Sequence, residues 1–204
     1  HFTCAANPDS ITVENLSRQA GDLARAASTL LPDGSLDVIS YGCTSGSLVI
    51  GEDRVFAELN KGAPTATPTS LITGVIRALQ AVQASRIAVA TPYLDEINAM
   101  EATYLKNAGF DVVRIKGLNL ERDSDMIRVR PDFIADYAAS LDGPDVDTIF
   151  ISCGALRSLD IVDQLEQRLG KPVICSNQAM IWDVLRLAGI ADKIEGYGRL
   201  MRDH

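Results

Sequence analysis

The sequence predicts an α/β fold made of two pseudo-symmetric, doubly wound parallel-sheet lobes with the active site in the cleft between them. Three observations carry this. Short Val- and Ile-rich runs alternate with stretches of helical periodicity, as expected of βα units whose strands are buried on both faces. Turn and cap residues fall where those units would meet. The chain also repeats at an offset of 110 positions, which aligns Leu36-Asp37 with Val146-Asp147, Ile39 with Ile149 and Cys43 with Cys153.

In chain order, HFTC (1–4) reads as a strand stub. Thr12 to Leu30 is a helix: Val13, Leu16, Ala20, Leu23, Ala24, Ala27 and Leu30 form a one-sided stripe, with Thr12 as N-cap. A turn at Pro32-Asp33-Gly34 leads into strand LDVISY (36–41), which ends in Gly42-Cys43-Thr44-Ser45-Gly46. A strand at 64–67 and a helix at 70–82 complete the first copy. The second copy reads as strands at 86–91, 111–116, 146–152 and 171–176, with helices at 93–108, 131–141, 157–169 and 177–188. Gly109, Gly170 and Gly189 stand at helix C-caps, and Asp142-Gly143-Pro144 is the turn before the third of those strands. The mixed-charge segment LERDSDMIRVR (120–130) reads as a loop over the cleft. Trp182 reads as core or dimer-interface packing.

These units divide the chain into a first lobe at 1–83, a second at 84–190, and a tail at 191–204 that returns toward the first lobe. The repeat puts the partner of the strand at 86 before residue 1. The first lobe is therefore expected to lack its opening strand and helix, about 25–40 residues on the repeat spacing.

Composition narrows the function. The 204 residues are 47% hydrophobic and 23% charged, enough for a sizeable core. The net charge is −8 with 19 scattered basic residues, which argues against nucleic acid or an anionic membrane as partner. No segment reads as a membrane span or signal, so a cytoplasmic location is expected. The only histidines are His1 and His204, so a His-based triad or His-ligated metal is not expected. Cys4, Cys43, Cys153 and Cys175 lack zinc spacing and read as free thiols. GSLVIGED (46–53) has the glycines of a phosphate loop, but Glu52-Asp53 occupy the positions of its Lys and Ser/Thr. GYG (196–198) lacks the flanking strand and helix of a dinucleotide turn. No metal and no cofactor are expected.

That leaves the thiols. Cys43 and Cys153 each end a strand, and in doubly wound sheets functional groups gather beyond the carboxyl ends of the strands. Backbone N–H groups and helix dipoles there are expected to lower both pKa values. A lone cysteine at a strand end is ordinarily an inert core residue; matched placement in both copies favours chemistry. Cys4 and Cys175 read as buried and inert, and Ser176 and Asn177 as N-capping residues.

YGCTSGSLVIG (41–51), TPY (91–93), SCG (152–154) and SNQAMIWDVLRLAGI (176–190) together resemble the maleate cis–trans isomerase and arylmalonate decarboxylase branch of the aspartate/glutamate racemase superfamily, and within it the ectoine-utilisation protein A members. The resemblance runs from about Thr12 to Gly198. It implies two pseudo-symmetric α/β lobes, cofactor-independent catalysis and two opposed thiols, carried here by Cys43 and Cys153. Arylmalonate-type decarboxylases have glycine at the first of these positions, so Cys43 speaks against that reaction. Donors for substrate carboxylates would be Thr44, Ser45, Tyr93 and Gly154. The implied activity is isomerisation of a small dicarboxylate, in the manner of maleate isomerase and in ectoine catabolism. A two-base racemase or epimerase and a non-catalytic small-acid binding protein stay open, as does a homodimer.

Overall fold

The computed structural model describes residues 1–31 and 34–204. Pro32 and Asp33 of the expected first turn lie outside the described residues. In chain order the elements are α1 (Val13–Ser28), β1 (Val38–Tyr41), α2 (Thr44–Ile50), α3 (Glu52–Gly62), β2 (Thr67–Ser70), α4 (Leu71–Ala81), β3 (Arg86–Thr91), α5 (Asp95–Asn107), β4 (Asp111–Gly117), α6 (Asp123–Met126), α7 (Pro131–Ala139), β5 (Thr148–Ile151), a 3-10 turn (Leu159–Ile161), α8 (Val162–Leu169), β6 (Val173–Cys175), α9 (Ser176–Leu187) and α10 (Gly198–Asp203).

The strands form two parallel sheets. The second lobe holds the order β4-β3-β5-β6, and the first holds β1-β2. β1 and β5 stand at the repeat offset of 110, from Val38 against Thr148 to Tyr41 against Ile151. β3 and β4 have no first-lobe counterparts among the described residues.

Strand alternation sorts the larger sheet's side chains onto two faces. Ala88, Ala90, Ile149, Ile151, Val173 and Cys175 pack with Ile134 and Ala138 of α7 and Leu165 of α8. Ile87, Val89, Phe150 and Ile174 pack with α4, α9 and Leu200-Met201 of α10. Helices thus cover both faces, which explains why the strands read as unbroken apolar runs. The first lobe has its own core of Leu23, Ala27, Ile39, Tyr41, Val55 and Leu59. The lobes meet where α4 packs on α9. At that seam the buried carboxylate of Asp183 accepts from Thr69 Oγ1 at 2.6 Å and Arg77 Nη1 at 2.8 Å.

Several expectations need correction. Residues 1–4 form no strand, and Cys4 is exposed rather than buried. The segment instead lies along α1, held by Thr3 to Thr29 at 2.8 Å and by Ala6 N–H to Asp22 Oδ2 at 2.8 Å. The strand expected at 64–67 sits three residues later, with Pro68 on an edge strand where its missing N–H costs least. Residues 44–62 hold two helices that sequence periodicity did not mark. Within 120–130, Asp123–Met126 is a helix whose Met126 is fully buried. The tail packs through α10 on α8, α9 and β6. Cys175 is buried, as expected. No helix among the described residues is long and apolar enough to cross a membrane.

Candidate active site

Cys43 is the N-cap of α2. Its Sγ accepts the Gly46 N–H at 3.3 Å and lies 3.6 Å from Ser45 Oγ. Tyr41, two residues earlier and so on the same side of the strand, sets its hydroxyl between Cys43 Sγ and Gln19 Oε1. This arrangement requires glycine at 46. A Cβ there would lie 2.2 Å from the Tyr41 hydroxyl oxygen and 3.1 Å from Cys43 Sγ.

Cys153 follows β5 in a backbone conformation, φ 95°, that residues with a side chain rarely adopt. Its N–H donates to Ser176 Oγ at 3.0 Å, and its Sγ accepts the Ala155 N–H at 3.3 Å. The Tyr93 hydroxyl also bonds this sulfur, and Met126 Sδ stands 4.0 Å from it. Tyr93 is held in turn: its N–H meets Thr91 Oγ1 at 3.2 Å and its carbonyl accepts from Asn98 Nδ2 at 3.3 Å. Asn177 Nδ2 donates to the Gly154 carbonyl at 2.9 Å. Ser176 and Asn177 therefore support the site rather than cap α9, whose N-cap is Cys175.

The two strand ends open on one cavity of about 290 Å³. All six residues singled out in the sequence line it: Cys43, Thr44 and Ser45 from the first lobe, Tyr93, Cys153 and Gly154 from the second. Asn7, Ile11 and Gln19 from the N-terminal part, and Asp123 of α6, complete the wall with Gly42 and Ala155. The N-terminal segment reaches this position because Asp9 binds Ser124 through its N–H and hydroxyl, both at 2.8 Å, and Ile11 N–H meets the Glu121 carbonyl at 2.8 Å. Sequence reasoning missed Tyr41, Gln19, Asn7, Asp123 and the role of Ser176. Only Tyr41 carried a signal, its spacing of two from Cys43.

The electrostatics correct one expectation. Backbone N–H groups do favour both thiolates, but burial outweighs them. Burial raises the Cys43 pKa, against the Gly46 N–H and the Ser45 hydroxyl. It pushes Cys153 up to about 12, against the Tyr93 hydroxyl and the Ala155 N–H, with a negative Cys43 raising it further. A thiolate on Cys43 thus disfavours a second on Cys153, and the pair favours one thiolate at a time. Behind Cys153, Glu101 is fully buried and accepts from Ser152 Oγ at 2.6 Å; burial raises its pKa to about 7. Among the described residues no cluster of three or more His, Cys, Asp or Glu is arranged to hold a metal ion.

The arylmalonate decarboxylase family model matches residues 9–201. Arylmalonate decarboxylase of Bordetella bronchiseptica is 37% identical over 135 residues, a match spanning 65% of this chain and 56% of that enzyme. Maleate isomerase of Nocardia farcinica is 27% identical over 96% of this chain and 79% of its own length. A liganded double variant of arylmalonate decarboxylase, glycine to cysteine and cysteine to serine, superposes with a TM-score of 0.87 at 30% identity, covering 96% of this chain and 85% of that one. A cysteine-to-serine variant of the Nocardia farcinica maleate cis–trans isomerase, carrying a covalently bound succinylcysteine intermediate, shares the fold with a TM-score of 0.88 at 24% identity, over 96% of this chain and 83% of that one. With two strand-end thiols on one cavity and a family match over nearly its whole length, the chain belongs to the arylmalonate decarboxylase family.

Proposed function

We propose that this protein is a cofactor-independent isomerase of a small carboxylic acid, with Cys43 as nucleophile and Cys153 as acid/base. The observation that carries the reading is the shared cavity, in which each thiol is met by a tyrosine hydroxyl and a backbone N–H. On a cis-enedioate, the Cys43 thiolate adds to one alkene carbon while the Cys153 thiol gives its proton to the next. The new C–C single bond rotates. Cys153 then takes a proton back from that carbon as the C–S bond breaks, leaving the trans alkene and both groups as they began. Thr44, Ser45 and the Gly154 N–H are the carboxylate donors. The covalent intermediate named for the Nocardia farcinica isomerase variant supports such an addition.

A two-base racemase is the second reading, favoured by the matched tyrosine–thiol pairs. Resemblance to ectoine-utilisation protein A supports a place in ectoine breakdown for either. The test is turnover of maleate and a panel of amino acids in D₂O, with the product read by mass spectrometry and NMR. Conversion of a cis-enedioate to its trans isomer supports the first reading. Deuterium entering Cα with inversion and no alkene isomerisation supports the second. Neither reaction on any member of the panel counts against both.

A further inference from the structure

We infer that the acid held between Cys43 and Cys153 carries a protonated amino group that pairs with Asp123; this rests on the reading of the cavity as a carboxylic-acid site. The charge pattern of the wall carries it. Thr44, Ser45 and Gly154 give the wall neutral donors, and none of the lining side chains is Lys, Arg or His. The single charged side chain is Asp123. An unsubstituted dicarboxylate would set a second negative group against it with no cation in the wall to offset either.

The hydrogen bonds around Asp123 leave it ready for a donor. Its Oδ2 accepts from Asn7 Nδ2 at 3.0 Å, and its Oδ1 takes no hydrogen bond or ion pair from the described residues. The nearby cations are engaged elsewhere: Arg122 and Arg128 both bind Asp125, at 2.9 and 3.3 Å. Asn7 is itself oriented, because its Oδ1 accepts from Gln19 Nε2 at 2.6 Å and Gln19 Oε1 accepts from Tyr41. One chain of hydrogen bonds, Tyr41–Gln19–Asn7–Asp123, thus runs from the Cys43 thiol to the carboxylate. The carboxylate's position is set from the thiol side. Partial burial and the facing Asp9 raise the Asp123 pKa in the free protein, against Asn7; an ammonium ligand would lower it again.

A zwitterion matches this lining chemically, its carboxylate taken by the Thr44, Ser45 and Gly154 donors and its ammonium by Asp123. The substrate class is an amino-substituted short-chain carboxylic acid.

The test is protection of Cys43 from iodoacetamide at pH 8, read by peptide mass spectrometry. Matched pairs are compared: aspartate with succinate and glutamate with glutarate, which differ by one amino group each. At least one amino acid should protect about tenfold more tightly than its partner lacking that group. Asp123→Asn should abolish the difference by weakening the amino acid about tenfold. Equal or better protection by the des-amino partner across all pairs in the wild type overturns the inference and leaves the carboxylic-acid site standing. Protection by neither class overturns both. The wild-type comparison decides the matter even if the variant folds poorly.

Discussion

The Thr44 and Ser176 hydroxyl oxygens lie 3.1 Å apart although 132 positions separate them. The contact joins the start of α2, next to Cys43, to the start of α9 in the second lobe. Ser176 also accepts the Cys153 N–H at 3.0 Å, holding a strained residue in place. Ser176→Ala leaves that buried N–H without its acceptor, a cost of about 1–3 kcal/mol. The expected results are a melting temperature lower by roughly 3–10 °C and turnover down by about tenfold or more as Cys153 relaxes. Calorimetry and steady-state kinetics check both; unchanged turnover would confine Ser176 to a structural role.

Thiol reactivity follows burial. Cys4 is exposed while burial raises Cys43 and, to about 12, Cys153. Iodoacetamide should label Cys4 first and Cys153 last. Because only the thiolate reacts, Cys43 labelling should rise about tenfold per pH unit between pH 7 and 8.5. Time-resolved peptide mass spectrometry reads this, and a flat profile for Cys43 would show that its thiolate is already formed at neutral pH.

Glu101 sets a stability–pH slope. Its folded pKa of about 7 stands above the reference value of 4.5, so the native state holds the proton more tightly than the unfolded chain. Its contribution is fully present below 4.5 and is lost as pH rises through about 7, a swing of about 3 kcal/mol by the 1.36 kcal/mol per unit rule. Glu101→Gln keeps the acceptor for Ser152 and removes the titration. Denaturant melts at pH 5 and pH 8 should lie closer together for the variant than for the wild type, and parallel behaviour would place the slope elsewhere.

Gly46→Ala should damage catalysis more than folding. The added methyl would lie 2.2 Å from the Tyr41 hydroxyl oxygen, so the tyrosine must leave Gln19 and the Cys43 sulfur. A misplacement of about 1 Å near reacting groups costs on the order of 10²-fold in turnover. Kinetics beside a circular dichroism melt separates the two effects.

The repeat made the thiols legible. Leu36-Asp37 and Val146-Asp147 immediately precede the equivalent strands β1 and β5, and Cys43 and Cys153, the two residues drawn from the repeat, line one cavity. What escaped was either local geometry without periodicity or contact across the chain. α2 and α3 carry Gly46 and Gly62 and are separated by Gly51, glycines that lower helix propensity. Two of these serve close approaches, Gly46 to Tyr41 and Gly62 to the Ala24 carbonyl at 2.2 Å from a would-be Cβ. Asn7 and Asp123 meet across 116 positions in segments with no strand to align. The thiol pKa values were misjudged because N–H groups are visible as a helix start, whereas burial is a property of the folded whole.

Turnover of the single variants Cys43→Ser and Cys153→Ser, on the substrate found for the wild type, tests whether Cys43 and Cys153 act together. A serine hydroxyl needs a base to ionise, and the chain's only histidines, His1 and His204, are both exposed at its ends. Each variant is expected to bind substrate, keep its fold and lose about 10³-fold or more in kcat. Retention of more than a tenth of wild-type turnover in either variant would contradict joint action of the two thiols.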